Sequence, residues 1–250
     1  AARAGYYGLA ERLDGLVGRL VASARRKFGE NLIVVYLSDH GDMAGEKGLF
    51  WKSTFYEGSV RVAWIAQGSD IAEGNVIAEP VSLLDLAPTL NALGEASELP
   101  DSDGVSQDGP LRGNARPDPE RPILATLTDR TRGWSAMVRK NHYKLVEHHG
   151  HSTPQLFDLA DDPGEHHDLG AEPAHAATVH DLRRHLDGSW DPGREKRHAE
   201  GSAGRSKLFR AWAERTGAKP LEHWQGEIDR LWYGRPENES PGSAGKGKPT

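Results

Sequence analysis

An aspartate and a histidine, Asp39 and His40, come directly after an apolar run in the segment VVYLSDHGDMAGEKGLFWKS. Ionised groups lose hydration at the end of an apolar strand, so a partner that offsets this loss is expected. Carboxylate oxygens and imidazole nitrogens are both ligands of divalent cations. The pair therefore predicts a metal site, and the alternative interpretation is an Asx-type turn with an exposed histidine.

The elements around this pair are typical of an α/β protein. Between residues 3 and 28, leucines and valines recur at the spacing of an amphipathic helix. The following residues, 31 to 37, are apolar on both faces, as in a central strand of a parallel sheet. A helix that feeds such a strand indicates an α/β fold. Ligands of open α/β sheets bind beyond the carboxyl ends of the strands, where Asp39 and His40 fall.

Further along the chain the pattern changes to short antiparallel strands. Residues 60 to 66 predict a second strand, residues 80 to 94 a helix, and residues 95 to 120 a long loop. A meander is predicted from the runs ILATLT, WSAMVRK, HYKLVEH and PQLFDLA. The rest predicts a helix over residues 172 to 187, a polar loop over 189 to 204 and a short helix in SKLFRAWAERTG.

These patterns divide the chain into four predicted parts. The expected fold class is α/β: a mixed sheet with flanking helices, followed by a small antiparallel-sheet-plus-helix subdomain. The predicted parts are the α/β layer over residues 1 to 115, the subdomain over 116 to 188, a tail with a short helix over 189 to 234, and a disordered end over 235 to 250.

Composition narrows the classes of function. The chain has 250 residues and a formal net charge of -6, which gives no reason to expect a nucleic-acid or membrane-surface partner. Its longest apolar run is far shorter than the ~20 residues that cross a bilayer. Cysteine is absent, which excludes disulfides, thiolate metal sites and a cysteine nucleophile within the chain. Localisation is not indicated, because a chain without cysteine suits either redox environment.

The segment SDHGDMAGEKGLFWKSTFYEGSVRV resembles the sulfatase branch of the alkaline-phosphatase superfamily. Members show Ser-Asp-His/Asn-Gly, a Gly-Glu-x-Gly loop, a lysine, and then Tyr/Phe-Glu-Gly-x-x-Arg-Val. Further similar segments follow in the same order: SLLDLAPTLNALG, DGVSQDGPLRG, MVRKNHYKLVEH and PQLFDLADDPGEHHDLG. The resemblance, which covers roughly residues 3 to 170, implies an arylsulfatase- or choline-sulfatase-like protein with an alkaline-phosphatase-like sheet.

The resemblance also implies roles for single residues. Asp39 matches the carboxylate that ligates the divalent cation, and His40 matches a neighbouring position that is asparagine or histidine in the family. Lys52 matches the lysine that contacts the sulfate group, so it is expected to be both catalytic and substrate-binding. The alternative for Lys52 is a solvated loop lysine. Glu57 and Arg61 match a Glu-Gly-x-x-Arg segment, either as an ion pair that holds the loop or as substrate contacts.

The implied cofactors are one divalent cation and a formylglycine. The family favours Ca²⁺, with Mg²⁺ or Mn²⁺ as alternatives, and a histidine ligand weakens the case for calcium. Sulfatases form the formylglycine in an N-terminal Cys/Ser-x-Pro/Ala-x-Arg segment, and this sequence contains no such segment. We therefore expect the chain to be the C-terminal half of a sulfatase, inactive alone, with the missing N-terminal half of the same protein as its partner.

The expected reaction of the full-length enzyme is hydrolysis of a small-molecule or carbohydrate sulfate ester to an alcohol and sulfate. One alternative is a phosphodiesterase or phosphonate monoester hydrolase of the same superfamily, which His40 permits. Another is a truncated, non-catalytic homologue that serves as a binding or assembly module. The sequence does not identify the alcohol part of the substrate.

Overall fold

A computed structural model describes residues 2–129 and 133–217, and the account below concerns those residues. The described residues fall into two compact units, divided between residues 196 and 197. The helices of the described part are α1 (Ala2–Phe28), α2 (Glu57–Val60), α3 (Leu86–Leu93), α4 (Asp108–Leu111), α5 (Ala176–Asp187) and α6 (Pro192–Thr216). The strands are β1 (Ile33–Leu37), β2 (Met43–Ala44), β3 (Phe50–Trp51), β4 (Trp64–Gly68), β5 (Ile123–Asp129), β6 (Gly133–Lys140), β7 (Tyr143–His148) and β8 (Gln155–Asp158).

The first layer confirms the predicted helix and strand but corrects how the strand is paired. In the described residues β1 pairs with β4 alone, and the two strands run antiparallel. The sequence predicted a central strand of a parallel sheet, because apolar residues on both faces indicate burial without fixing the direction of the neighbour. All five residues of β1 are only half-buried. The predicted strand over residues 60 to 66 begins later, since residues 57–60 form the helical turn α2.

Helix α3 ends as the sequence predicts but begins later, at Leu86 rather than at residue 80. A 3-10 turn over Leu83–Asp85 leads into it, and Ser82 and Asp85 form a capping box at its start. The Ser82 hydroxyl accepts the Leu84 N–H at 3.2 Å, while the Asp85 carboxylate accepts the Ser82 N–H at 3.0 Å. Gly94 follows the last helical residue. The described helices include none with the length and apolar content of a membrane span.

The antiparallel meander is confirmed, and it has two buried faces. Strands β5 to β8 pair in sequence order, each with its chain neighbour. One face packs on α5 through a cluster of buried residues: Ala136, Val138, Leu145, Leu156, Val179, Leu182 and Leu186. Met137 and Val146 lie on the other face and pack with Phe55. Because side chains alternate across a strand, β6 and β7 each contribute buried residues to both clusters.

The segment after α5 differs from the prediction. Residues 189–204 were expected to be a loop, but Pro192–Thr216 is one helix, α6, that includes the short helix predicted at its end. Its start has the residues typical of a helix N-terminus. The Asp191 carboxylate accepts the Gly193 N–H at 2.8 Å, and proline occupies the first helical position. The domain boundaries stay predictions, and the predicted disordered end lies outside the described residues.

Candidate active site

The loop after β1 carries Asp39 and His40 and is fixed by short-range hydrogen bonds. The Ser38 hydroxyl donates to the His40 carbonyl oxygen at 2.7 Å, and the Asp39 Oδ1 accepts the His40 N–H at 3.0 Å. Gly41 follows, and its N–H donates to the Ser59 carbonyl at 2.8 Å. A Cβ on Gly41 would lie 2.2 Å from the Gly58 carbonyl oxygen, so this approach requires glycine.

Lys52 lies at the end of a short hairpin with a strained backbone. Strands β2 and β3 pair Met43 with Trp51, and Lys52 follows directly. The two residues beside it, Trp51 and Ser53, have left-handed φ angles of 73° and 72°. Such conformations cost about 1–3 kcal/mol each in non-glycine residues and persist where the surrounding structure imposes them. The hairpin therefore holds Lys52 in one defined place at an energetic cost.

The structure brings the three predicted side chains together. His40 Nε2 lies 3.0 Å from Lys52 Nζ and 3.5 Å from Asp39 Oδ2. His40 Nδ1 donates to the Gly41 carbonyl oxygen at 2.7 Å, because a carbonyl can only accept. This bond fixes the tautomer of a neutral ring, whose Nε2 lone pair then accepts from Lys52. The carboxylate, the imidazole lone pair and the ammonium group thus meet at one point.

Asp39 and His40 fit part of the ligand set of a divalent cation. The facing atoms, Asp39 Oδ2 and His40 Nε2, both carry lone pairs, and a cation bound to both would take the place of the Lys52 ammonium group at the single Nε2 lone pair. The Asp39 side chain is 84% exposed and therefore open to a ligand. No group of three or more metal-ligating side chains occurs in residues 2–129 and 133–217. Asp39 and His40 are thus two candidate ligands within the described residues, whereas zinc takes about four ligands and calcium about six to eight. The remaining ligands of such a cation would have to come from other groups.

Glu57 resolves one alternative that the sequence left open. Its carboxylate pairs with Lys144 at 2.9 Å and with Arg139 at 3.2 Å. Both partners lie on the meander, so this is an ion pair that holds the loop, formed with β6 and β7 rather than with Arg61. Sequence reasoning did not single out Lys144. The available signal was a lysine directly before the apolar pair Leu145 and Val146 in the predicted strand HYKLVEH.

A second buried charge, Asp85, organises the neighbouring loop. Its side chain is fully buried and accepts two hydrogen bonds from Arg121, at 2.7 and 2.8 Å, and one from the Val105 N–H at 2.9 Å. Burial opposes ionisation, but the Arg121 bond and the Val105 and Ser82 amides outweigh it and hold the pKa of Asp85 below its ordinary value. The carboxylate is saturated with partners, which makes it a structural centre.

Comparison with protein families gives a match to the part of the chain that carries these three side chains. The family model described as Sulfatase matches residues 1–96, which include Asp39, His40 and Lys52. A choline-sulfatase of Rhizobium meliloti (strain 1021) is 33% identical over 196 residues, 76% of this chain and 38% of the relative. An arylsulfatase K of Danio rerio is 29% identical over 180 residues, 68% of this chain and 34% of the relative.

Solved structures agree with these relatives. The phosphonate monoester hydrolase from Silicibacter pomeroyi superposes with a TM-score of 0.66 at 27% identity, over 74% of this chain and 40% of that one. The chain therefore spans well under half the length of the relatives that it matches. The architecture is the α/β arrangement of sulfatases and related hydrolases, with a small antiparallel sheet. From the family match, the curated relatives and the shared fold, the chain belongs to the sulfatase family.

Proposed function

We propose that this chain is part of a sulfuric ester hydrolase, in which it supplies two metal ligands and an anion-binding lysine. The reaction is hydrolysis of a sulfate monoester, ROSO3⁻ plus water to ROH plus HSO4⁻. One observation carries the proposal: Lys52 Nζ and Asp39 Oδ2 lie 3.0 and 3.5 Å from the same nitrogen of His40. This convergence occurs in the part of the chain that matches the sulfatase family model.

Each of the three side chains has a distinct task in this proposal. Asp39 and His40 would hold a divalent cation, with calcium favoured by the family and magnesium or manganese as alternatives. When bound, the cation would polarise the sulfate oxygens as a Lewis acid. Lys52 would donate hydrogen bonds to the sulfate group and offset the negative charge that develops on its oxygens. The Gly41 carbonyl keeps the imidazole lone pair directed at this point.

We propose that the nucleophile and the other metal ligands belong to the N-terminal half of the family's catalytic domain. The chain has no cysteine and no serine in a Ser-x-Pro/Ala-x-Arg segment, so it lacks a residue that could become formylglycine. Two exposed apolar surfaces support a partner of this kind. The α1 leucines Leu9, Leu13, Leu16 and Leu20 are 45–70% exposed, and β1 is only half-buried. On this proposal the chain alone has no hydrolase activity.

The proposed substrate is a small-molecule or carbohydrate sulfate ester. A choline-sulfatase is among the relatives, and its name indicates a small cationic alcohol. The arylsulfatase relatives indicate aromatic alcohols. A net charge of -6 on this chain gives no reason to expect a nucleic-acid or membrane partner.

Substitution in the full-length enzyme tests the proposal. Asp39→Ala and Lys52→Ala should each lower the turnover of an aryl sulfate by about two to three orders of magnitude, because groups at the reacting centre are lost. Asp161→Ala and Lys196→Ala, which change exposed side chains in the turn after β8 and on α6, serve as matched controls and should keep the wild-type rate. Near-normal rates in the Asp39 and Lys52 variants would reject the assignment.

A second candidate, phosphonate monoester or phosphodiester hydrolysis, is favoured by one observation. The Silicibacter pomeroyi phosphonate monoester hydrolase shares 27% identity and a TM-score of 0.66 with this chain. Sulfate and phosphonate esters present similar anionic oxygens to a cation and a lysine, so the three side chains suit both. Rates of the full-length enzyme on an aryl sulfate and on an aryl phosphonate monoester separate the two. A faster phosphonate reaction would replace the leading proposal.

A further inference from the structure

We propose that Lys144, on strand β7, is a positioning residue: its buried ammonium group fixes the segment that holds the Asp39–His40 pair and Lys52 in register. The inference rests on the proposed function for its catalytic meaning, but the positioning can be measured without catalysis. Lys144 contacts none of the three site side chains in the described structure. Its effect has to pass through residues 55–60.

The Lys144 ammonium group is fully buried and has three oxygen partners. It donates to the Phe55 carbonyl oxygen at 2.7 Å and to Glu57 Oε1 at 2.9 Å, and it pairs with the Glu165 carboxylate. A lysine is rarely buried completely, because it loses its hydration, and it is stable there only with close acceptors. Three acceptors from two separate segments meet this need. Lys144 therefore ties residues 55–57 to the meander.

The two carboxylates around Lys144 are tied to the same segment. Glu165 Oε2 accepts the Glu57 N–H at 2.7 Å, and this N–H lies at the start of the helical turn α2. Arg139 on β6 adds a bond to Glu57 Oε2 at 3.2 Å. Only 15% of the Glu57 side chain and 3% of the Glu165 side chain are exposed. Without the lysine, two buried carboxylates would face each other with less compensating charge.

The turn α2 in turn sets the position of the metal-ligand loop. The Gly41 N–H donates to the Ser59 carbonyl oxygen at 2.8 Å, and a Cβ on Gly41 would collide with the Gly58 carbonyl. Gly58 also lies against the sulfur of Met43, which is 1% exposed. Contacts this close leave no room for α2 and residues 41–43 to move independently. The position of His40 thus follows the position of Glu57.

Lys52 is coupled to the same anchor through the chain. Phe55, three residues after Lys52, is buried against Met137 and Val146 on the meander face that also carries Lys144. The Phe55 carbonyl is one of the Lys144 acceptors. Because Ser53 and Trp51 already hold strained φ angles, the loop needs external contacts to stay in this conformation. The Lys144 cluster supplies such contacts.

Lys140 offers a matched control on the same sheet. It lies on β6 and pairs with Glu120 at 3.1 Å and Asp181 at 3.8 Å, both far from the site loops in sequence. Its side chain is 19% exposed, so it is also largely buried, but it bridges the meander to α5 and to the segment before β5. Lys140→Met removes a charge from the meander without touching residues 55–57.

Hydrogen exchange on the 250-residue chain tests the positioning directly. Lys144→Met keeps the length of the side chain and removes the charge. We expect the amides of residues 39–43 and 52–60, with the Gly41 amide as the main reporter, to exchange about tenfold faster. The amides of α3 should be unchanged in this variant, and the Lys140→Met variant should leave residues 39–43 and 52–60 at their wild-type rates. Unchanged Gly41 exchange in folded Lys144→Met, or equal acceleration in α3, would overturn the inference.

A double variant covers the case in which Lys144→Met does not fold. Lys144→Met with Glu165→Gln removes one of the two buried carboxylates that Lys144 neutralises, and the glutamine oxygen can still accept the Glu57 N–H. We expect this variant to fold and to show the same localised acceleration at residue 41. Wild-type exchange at Gly41 in the folded double variant would contradict the proposal, because Lys144 would then be dispensable for the register.

Kinetics of the full-length enzyme separate this inference from the proposed function. For Lys144→Met we expect kcat on an aryl sulfate to fall about tenfold per folded molecule and Mn²⁺ binding to weaken by a similar factor. A role in stability alone would lower the unfolding midpoint and leave kcat and the Mn²⁺ affinity at wild-type values, which would overturn the inference while the function stands. Absence of hydrolysis in the wild type would instead reject the function, and the exchange result would still decide the positioning.

Discussion

The meander and the N-terminal layer bury their apolar residues to very different degrees. In the meander, Ala136, Val138, Leu145 and Leu156 are fully buried against one another and against α5. In the N-terminal layer, no residue of α1 is buried and every residue of β1 is only half-buried. The same amphipathic patterning therefore leads to a closed core in one region and to open surfaces in the other.

The two regions differ in whether their apolar faces are covered by other residues of the chain. The meander covers both of its faces, one with α5 and one with Phe55 and the segment around it. The N-terminal layer presents a leucine-lined helix face and a sheet with one described strand pair. Exposed apolar surface of this extent marks a contact surface. The layer that carries the proposed site is thus the one with exposed apolar surface, which is where we propose that the N-terminal half binds.

The N-terminal layer compensates in part with polar contacts. Asp85 is as buried as any meander core residue, and it gathers Arg121, Val105 and Ser82. Arg121 lies two residues before the start of β5, so this cluster also ties the layer to the meander. Where apolar packing is incomplete, buried charge and hydrogen bonds determine the conformation.

The largest predicted effect is a difference in the free energy of unfolding between a substitution in the meander core and one on the exposed face of α1. Leu145→Ala should destabilise the chain by about 2–5 kcal/mol, because it opens a cavity in a fully packed core. Leu16 lies on α1 and is 45% exposed, so Leu16→Ala should change the free energy of unfolding by less than about 0.5 kcal/mol. Urea unfolding followed by circular dichroism measures both. Equal losses would show that α1 is packed in solution and would break the comparison.

A somewhat smaller effect is expected at the polar centre. Asp85→Asn should destabilise the chain by about 2–4 kcal/mol, because Arg121 loses a charged partner and an amide NH2 replaces an acceptor. The same urea unfolding assay measures it, with Asp161→Asn in the exposed turn after β8 as the control. A loss below about 0.5 kcal/mol would show that the cluster does not hold the layer together.

The contribution of Asp85 to stability should also depend on pH. The pKa of Asp85 is lowered in the folded chain, so its ionised form contributes stability above the unfolded pKa of about 3.9. This contribution is lost as the pH falls through the lower, folded pKa. We expect the unfolding midpoint of Asp85→Asn to change less than that of the wild type between pH 6 and the onset of acid unfolding. Parallel pH profiles for the two proteins would contradict this.

The smallest effect concerns the polar contacts of α1. Arg3 donates to the Ala44 carbonyl oxygen at 2.6 Å and to Glu46 at 2.8 Å, and its side chain is 56% exposed. Arg3→Ala should cost less than about 1 kcal/mol, as is usual for exposed ion pairs, and the loss should shrink at high salt. Salt-dependent unfolding measures this. A loss of several kcal/mol would mean that this contact, rather than a missing apolar partner, holds α1 in place.

Local patterns in the sequence were enough for the meander, α3 and the residues of the site. Short strand-like runs identified the four strands, Gly94 marked the end of α3, and the motif around Asp39, His40 and Lys52 identified the three side chains that converge. These signals are local, so they survive without knowledge of the neighbours. The first half of α6 was predicted as a loop because it is rich in glycine and charged residues, although an Asp-Pro pair typical of a helix start precedes it.

The sequence by itself determined which residues are proposed to carry the chemistry and which elements precede them, since periodicity and motif spacing are properties of short segments. Only the tertiary structure decided that β1 pairs antiparallel with β4, that Glu57 reaches Lys144 rather than Arg61, and that Lys144 is fully buried. Strand direction and the pairing of buried charges depend on contacts between residues that lie tens of positions apart, here 87 between Glu57 and Lys144. Such contacts are fixed by how the elements pack, and a local pattern contains no information about them.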